Sequence, residues 1–210
     1  MKTFSISQII ESVRIKYDEI GLNESEMITP DEDSRNFDTI VKSNISAAFD
    51  FVINGAELSM LEGKSAENLE VTIDENLVGH INLPTDFLRV ITLKLSSWHS
   101  SPSKIITEDS PEYRMQSDPY ACGTFQQPVI ALIHNSKGKQ LEFYKAKKAD
   151  DTLASFVYIP KWTEEKTSVE IPELLSDAFI YYIAALTAAT FREDIANDFF
   201  KIARSLLKME

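Results

Sequence analysis

The spacing of apolar residues changes twice along this chain, and few folds can accommodate that. They recur at three- and four-residue steps from Ile6 to about Leu61, at every second residue through much of Gly63 to Ser168, and at helical steps again from Ile171 to Leu207. A helix returns to the same face after about 3.6 residues and a strand after two, so the chain reads helix, strand, helix. Helices from both ends flanking a run of strands predict an α+β protein. In it, N- and C-terminal helices form a helical bundle with an inserted antiparallel β-sandwich or barrel-like module. The expected division is a helical domain of residues 1–63 and 169–210, and an inserted β domain of residues 64–168.

Local signals place the elements. Ile6, Ile9, Ile10, Val13, Tyr17 and Ile20 make one apolar stripe, with Ser5 or Ser7 as the N-cap and Gly21 just past the end. Thr29-Pro30-Asp31-Glu32 has the form of a capping box with proline in the first turn. The helix it opens carries Phe37, Ile40, Val41, Ile45, Ala48, Phe51 and Val52, reaches about Ile53 and resumes past Gly55 to Leu61. Strand-like runs follow at 69–73, 77–82, 87–95, 129–134, 140–145 and 153–159, with Asn135-Ser136-Lys137-Gly138 as a hairpin turn. Between them Ser96 to Gln127, with Pro102, Pro111, Pro119 and Gly123, reads as a long loop holding one helical turn near Pro111–Gln116 and offering a contact surface. Ile171-Pro172-Glu173 is read as the next helix start. Its apolar face is Leu175, Ala178, Phe179, Tyr182, Ile183 and Leu186, beside an alanine stripe of Ala184, Ala185, Ala188 and Ala189. A last amphipathic helix carries Ile195, Phe199, Ile202, Ala203 and Leu206, with Lys201, Arg204 and Lys208 near its negative end.

Composition narrows the function. With 210 residues, 43% of them hydrophobic, the chain can bury one good core or one core with a satellite. The net charge of −12 is uneven: residues 1–86 hold 17 acids against 6 bases, and residues 87–210 hold 16 against 15. No basic cluster is longer than Lys145, Lys147 and Lys148, so tight binding to a phosphate backbone is not expected. An acidic face repels a polyanion and lets it pass without sticking. The one cysteine, Cys122, excludes an internal disulfide framework and a multi-cysteine metal site, and it fits a reducing cytoplasm. No apolar run approaches the roughly 20 residues of a membrane span, and without an apolar h-region at Met1 to Ser5 export is not expected.

No spacing resembles an active site. His80, His99 and His134 are isolated from one another along the chain. The segment Ser96-Ser97-Trp98-His99-Ser100-Ser101 lacks a nucleophile elbow. The acidic pairs Asp31/Asp33, Asp74/Glu75, Glu108/Asp109 and Asp150/Asp151 are residues that helix starts and turns ordinarily use. There is no phosphate-binding loop or calcium loop, and a total of 6 glycines argues against one. The expectation is therefore no enzyme, no cofactor and no metal. Trp98, His99 and Trp162 are the candidate protein-contact residues, since tryptophan is enriched at interface hot spots. Each tryptophan serves equally well as a lid over the β core.

In order along the chain stand Leu83-Pro84-Thr85-Asp86-Phe87-Leu88-Arg89, Pro111-Glu112-Tyr113-Arg114, Gly123 to Leu132 with Pro128-Val129, Leu141-Glu142-Phe143-Tyr144, and Ile171-Pro172-Glu173 with its alanine-rich helix. Together they resemble the head-to-tail adaptor or ring proteins of short-tailed bacteriophages, the tail tubular protein A group, including ring proteins of crAss-like phages. The resemblance implies a virion protein of the tail or neck, assembled in the host cytoplasm. About twelve copies would form a ring beneath the portal, extend the DNA channel and anchor nozzle or tail-fibre proteins, with DNA passing unbound. A different class of function, a carbohydrate- or peptide-binding β domain with helical supports, places Trp98, Tyr120 and Trp162 along a groove. A hydrolase built on the acidic pairs is the weakest of the three.

Overall fold

A computed structural model describes residues 1–21, 33–66, 69–102, 105–118, 120–124, 126–136, 138–144, 146–191 and 193–208, with the side chains at 19–21, 33–35, 191 and 193–194 outside that description. The protein is mixed α+β. Among the described residues it has five helices and three sheets, and no sheet closes into a barrel. The chain forms two compact units: Met1–Glu62 with Lys161–Glu210, and Gly63–Pro160.

The first unit holds the helices α1 (Ile6–Gly21), α2 (Asp33–Gly55), α4 (Ser176–Phe191) and α5 (Glu193–Leu206). Helix α1 begins with a reciprocal cap: Ser5 N donates to Gln8 Oε1 at 2.8 Å, and Gln8 N donates to Ser5 Oγ at 3.2 Å. This decides between Ser5 and Ser7 and satisfies two backbone donors that a helix start leaves without partners. The Thr29–Pro30 start assigned to α2 lies outside the described residues. Past Gly55 the chain makes a short 3-10 turn at Leu58–Met60 instead of resuming a helix. Helix α4 is apolar on nearly all sides and packs against α1, α2 and α5, the behaviour of a central helix. Ala184, Ala185 and Ala188 are fully buried, whereas Ala189 is exposed. Aromatic edges knit the unit: Tyr17 meets Phe37 at 5.7 Å and Phe49 meets Phe179 at 6.5 Å, both T-shaped. Helix α5 contributes buried Ile195, Phe199 and Ala203 and turns its polar face outward.

The expected helix start at Ile171 is corrected. Strand β1 (Lys2–Ser5) pairs antiparallel with β10 (Ser168–Ile171), Lys2 opposite Ile171 and Ser5 opposite Ser168. Val169 and Ile171 are both fully buried with exposed Glu170 between them, so this stretch follows the two-residue period of a strand. Pro172 then leads into a 3-10 turn, Glu173–Leu175, and α4 begins at Ser176.

In the second unit a three-stranded sheet runs β2 (Lys64–Ser65), β9 (Leu153–Pro160), β5 (Phe87–Leu95). A five-stranded sheet runs β3 (Val71–Ile73), β4 (Gly79–Asn82), β8 (Gly138–Phe143), β7 (Ile130–Asn135), β6 (Ile105–Thr107). One hydrophobic cluster draws on both sheets, with Ile81, Ile130, Leu141 and Phe143 from the larger and Val90, Leu93, Phe156 and Tyr158 from the smaller. The hairpin forms at the predicted site, Asn135 opposite Gly138, and Gly138 supplies the positive φ of 122°. The module is not purely antiparallel, because β6 pairs parallel with β7 through Ile105 opposite Ile130. A parallel neighbour needs a long crossover, and residues 108–129, with helix α3 (Pro111–Met115), provide it. Part of the loop expected at Ser96–Gln127 is thus a sheet edge.

Candidate functional site

Both tryptophans are buried. Trp98 is 3% exposed and meets the Phe143 ring edge-on at 5.4 Å; its indole N–H has no hydrogen-bond partner among the described residues. Trp162 is 7% exposed and donates from Nε1 to the Ser168 carbonyl at 3.0 Å, fastening β10. Their role in the chain is packing. Of the three rings expected along a groove, Trp98 and Trp162 are interior and Tyr120 is exposed. His99 is exposed beside Trp98.

The acidic pairs are absorbed by turns. Asp74 Oδ1 accepts from the N–H groups of Asn76 and Val78 at 2.9 and 2.8 Å. Glu108 accepts from His134 N at 3.0 Å. Asp151, buried, accepts from the Ser97 hydroxyl and from Thr152 N. Asp31 lies outside the described residues. Among the described residues no group of three His, Cys, Asp or Glu side chains is placed to hold a metal ion, and no helix is long and apolar enough to cross a membrane.

Two arrangements that the sequence reading did not single out draw on the excursion between β6 and β7. One is a phenol–carboxylate cluster. Glu142, on β8, has its Oε1 bonded by the hydroxyls of Tyr144 and, at 3.3 Å, of Tyr113 on α3. His80 on β4 stands directly across the ladder, its Nδ1 3.7 Å from Glu142 Oε2. Burial, and then the Glu142 carboxylate, push the Tyr144 hydroxyl far above the usual phenol range; the same two causes raise Tyr113. Both phenols therefore remain donors, and the cluster staples α3 to the sheet. The cue was present in Leu141-Glu142-Phe143, a carboxylate between two strand residues that turn out to be fully buried.

The other is a cleft of ≈ 410 Å³ between Ser100–Pro102 and Ala121–Val129. Its wall is braced from several sides. Gln116 Oε1 accepts from Gly123 N at 2.8 Å. Asp118 Oδ1 accepts from Tyr120 N at 2.9 Å, and the Asp118 carbonyl accepts from Cys122 N at 3.0 Å. Thr124 Oγ1 accepts from Gln127 N at 3.2 Å. Gly123 is required by close approach: a Cβ there would lie 2.8 Å from both Val129 N and Val129 Cβ. Hydroxyls of Ser100, Ser101 and Thr124 and amides of Gln126 and Gln127 line the cleft, with apolar Pro128 and Val129. A smaller cleft of ≈ 280 Å³ shares Ala121, Pro128 and Val129 and adds Ile106, Glu112, Met115 and Gln116. Tyr120, which precedes Ala121 of both clefts in the chain, is 98% exposed.

Charge divides with the two units. Counted over the sequence, the helical unit holds 21 Asp and Glu against 11 Lys and Arg, and the β unit 12 against 10. Net charges of −10 and −2 follow, so the acidity belongs to the helical unit. No protein-family model matches this sequence, and no curated protein matches it.

Proposed function

We propose that this chain is a structural subunit of a head-to-tail connector ring in a short-tailed phage virion, seated below the portal and surrounding the DNA channel. The observation that carries the reading is the joining of both chain ends. Helices from the N- and C-terminal segments share one compact unit that holds nearly all the net negative charge, while the strands between them form another. Under this reading α1, α2, α4 and α5 act as a bundle and the two sheets of the β unit as an inserted sandwich.

Three further points support it. The ordered likeness of five segments to ring proteins spans most of the chain. A negative helical unit suits a conduit whose cargo is a polyanion, because repulsion keeps DNA from adhering. Two dissimilar units in one subunit give a ring the unlike surfaces that heterologous contacts between identical copies require. Partners are then further copies of the chain, the portal, and nozzle or tail-fibre proteins.

Mass photometry of the full chain, alone and with a portal protein of a short-tailed phage, tests the proposal. A discrete high-order ring, or its appearance on adding the portal, is the expected result. A strict monomer at every concentration that ignores the portal would overturn it.

A further inference from the structure

The strongest feature left unused is the cleft between Ser100–Pro102 and Ala121–Val129. In a chain with 26% charged residues, none of the described residues lining it is charged. Ser100, Ser101, Thr124, Gln126 and Gln127 among them carry groups that donate and accept hydrogen bonds at once. The Thr92 hydroxyl donates to Ser101 Oγ at 3.0 Å, so the Ser101 proton is left for a ligand. Thr124 Oγ1 likewise accepts from Gln127 N and keeps its own proton. The exposed Gln126 amide has no partner among the described residues and offers both a donor and an acceptor.

We propose that this cleft binds a neutral saccharide, with Tyr120 as the stacking platform. The choice of ligand class follows by elimination. A charged ligand needs a counter-charge, and among the described residues the lining supplies none. A wholly apolar ligand would leave the hydroxyls and amides without partners, at a cost for each. A sugar satisfies both kinds of wall. Its hydroxyls pair with Ser101, Thr124 and Gln126, and the apolar C–H face of its ring packs on an aromatic face such as Tyr120 or on Pro128 and Val129. The size agrees, since ≈ 410 Å³ falls within the roughly 300–1,000 Å³ of small-molecule sites. The bracing of Tyr120, Gly123 and Gln127 by Asp118, Gln116 and Thr124 means that little ordering of these residues is left for binding to supply. The inference does not depend on the ring reading.

Saturation-transfer NMR on the full chain tests it, with neutral trisaccharides of glucose, galactose, mannose and N-acetylglucosamine, and a sulfated disaccharide as the charged control. Transfer to at least one neutral sugar and none to the sulfated one is expected. Tyr120→Ala should weaken that binding about fivefold to tenfold, the scale of one lost aromatic stack, and Gln126→Ala should weaken it severalfold. Both substitutions are at exposed positions, and thermal melts of the variants confirm an intact fold. The proposal is overturned if no neutral sugar shows transfer, or if transfer persists undiminished in both variants. Binding instead of a neutral proline- and glutamine-rich peptide, lost in the same variants, would reassign the cleft to peptide. Ring assembly, read separately by mass photometry, is expected to be unchanged by Tyr120→Ala, so the two proposals fail independently.

Discussion

Glu142 shows how one half-buried carboxylate can organise its surroundings. Its Oε1 takes two phenolic hydroxyls, so Glu142→Ala would leave Tyr144, 7% exposed, and Tyr113 with donors facing an apolar neighbourhood that includes Ile106 and Ala131. The expected loss is about 1–3 kcal/mol, read as a lower urea midpoint at unchanged m-value, with most of it recovered in Glu142→Gln, which keeps an acceptor oxygen. The raised Tyr144 hydroxyl makes a second prediction. In the folded state it holds its proton to higher pH than in the unfolded chain, so its stabilising contribution is complete below about pH 10 and is lost as the pH rises beyond that. Tyr144→Phe should therefore be less stable than the native chain near neutrality and show a shallower alkaline decline, measurable by melting from pH 8 to 11. Little of this was legible in the sequence. Glu142 and Tyr144 are two residues apart, but their partner Tyr113 arrives from α3, 29 positions earlier than Glu142, and only the crossover brings it there.

Elements whose cause is local were read well, and elements that need a distant partner were not. The Ser5 cap lies within three residues of its partner, and its loss is predictable: Ser5→Ala should cost about 1 kcal/mol and speed amide exchange in the first turn of α1, while Ser7→Ala should do neither. The hairpin at Asn135–Gly138 and the strand cores of β4, β5, β7, β8 and β9 followed from alternation and turn chemistry alone. By contrast β1, β6 and β10 are three or four residues long and carry too few apolar positions to establish a period. Each exists because another strand is there to receive it: β1 and β10 hold each other, and β6 rests on β7. Proline at position 172 pointed to a helix start in the right neighbourhood, yet the first turn was displaced by the pairing that consumed Ile171.

At the scale of the whole molecule, the chain enters and leaves the β unit side by side. Lys64 is paired with Tyr158 and Ser65 with Val157, so the unit's two ends meet on adjacent strands. The entry is pinned by Lys64 Nζ, which donates to Asp86 at 2.9 Å, while the Tyr158 hydroxyl donates to the other Asp86 oxygen at 3.0 Å. A segment with its own core and adjoining ends should fold when excised. Residues 63–160 alone are expected to give a dispersed amide spectrum and a cooperative melt. A fragment that collapses without cooperative unfolding would show that the β unit depends on the helices.

What the sequence determined by itself is everything governed by neighbours within a few residues: helix against strand, caps, the hairpin, and the placing of charge, since each rests on a local period or a short-range hydrogen bond. Tertiary structure decided what depends on meeting. It put Trp98 and Trp162 inside, although nothing in their flanking residues distinguishes a core indole from an exposed one. It also gathered Ser101, Thr124 and Gln126 around one cleft. Burial and convergence belong to the closed chain, in which segments far apart in sequence compete for the same space, and no local spacing records the outcome.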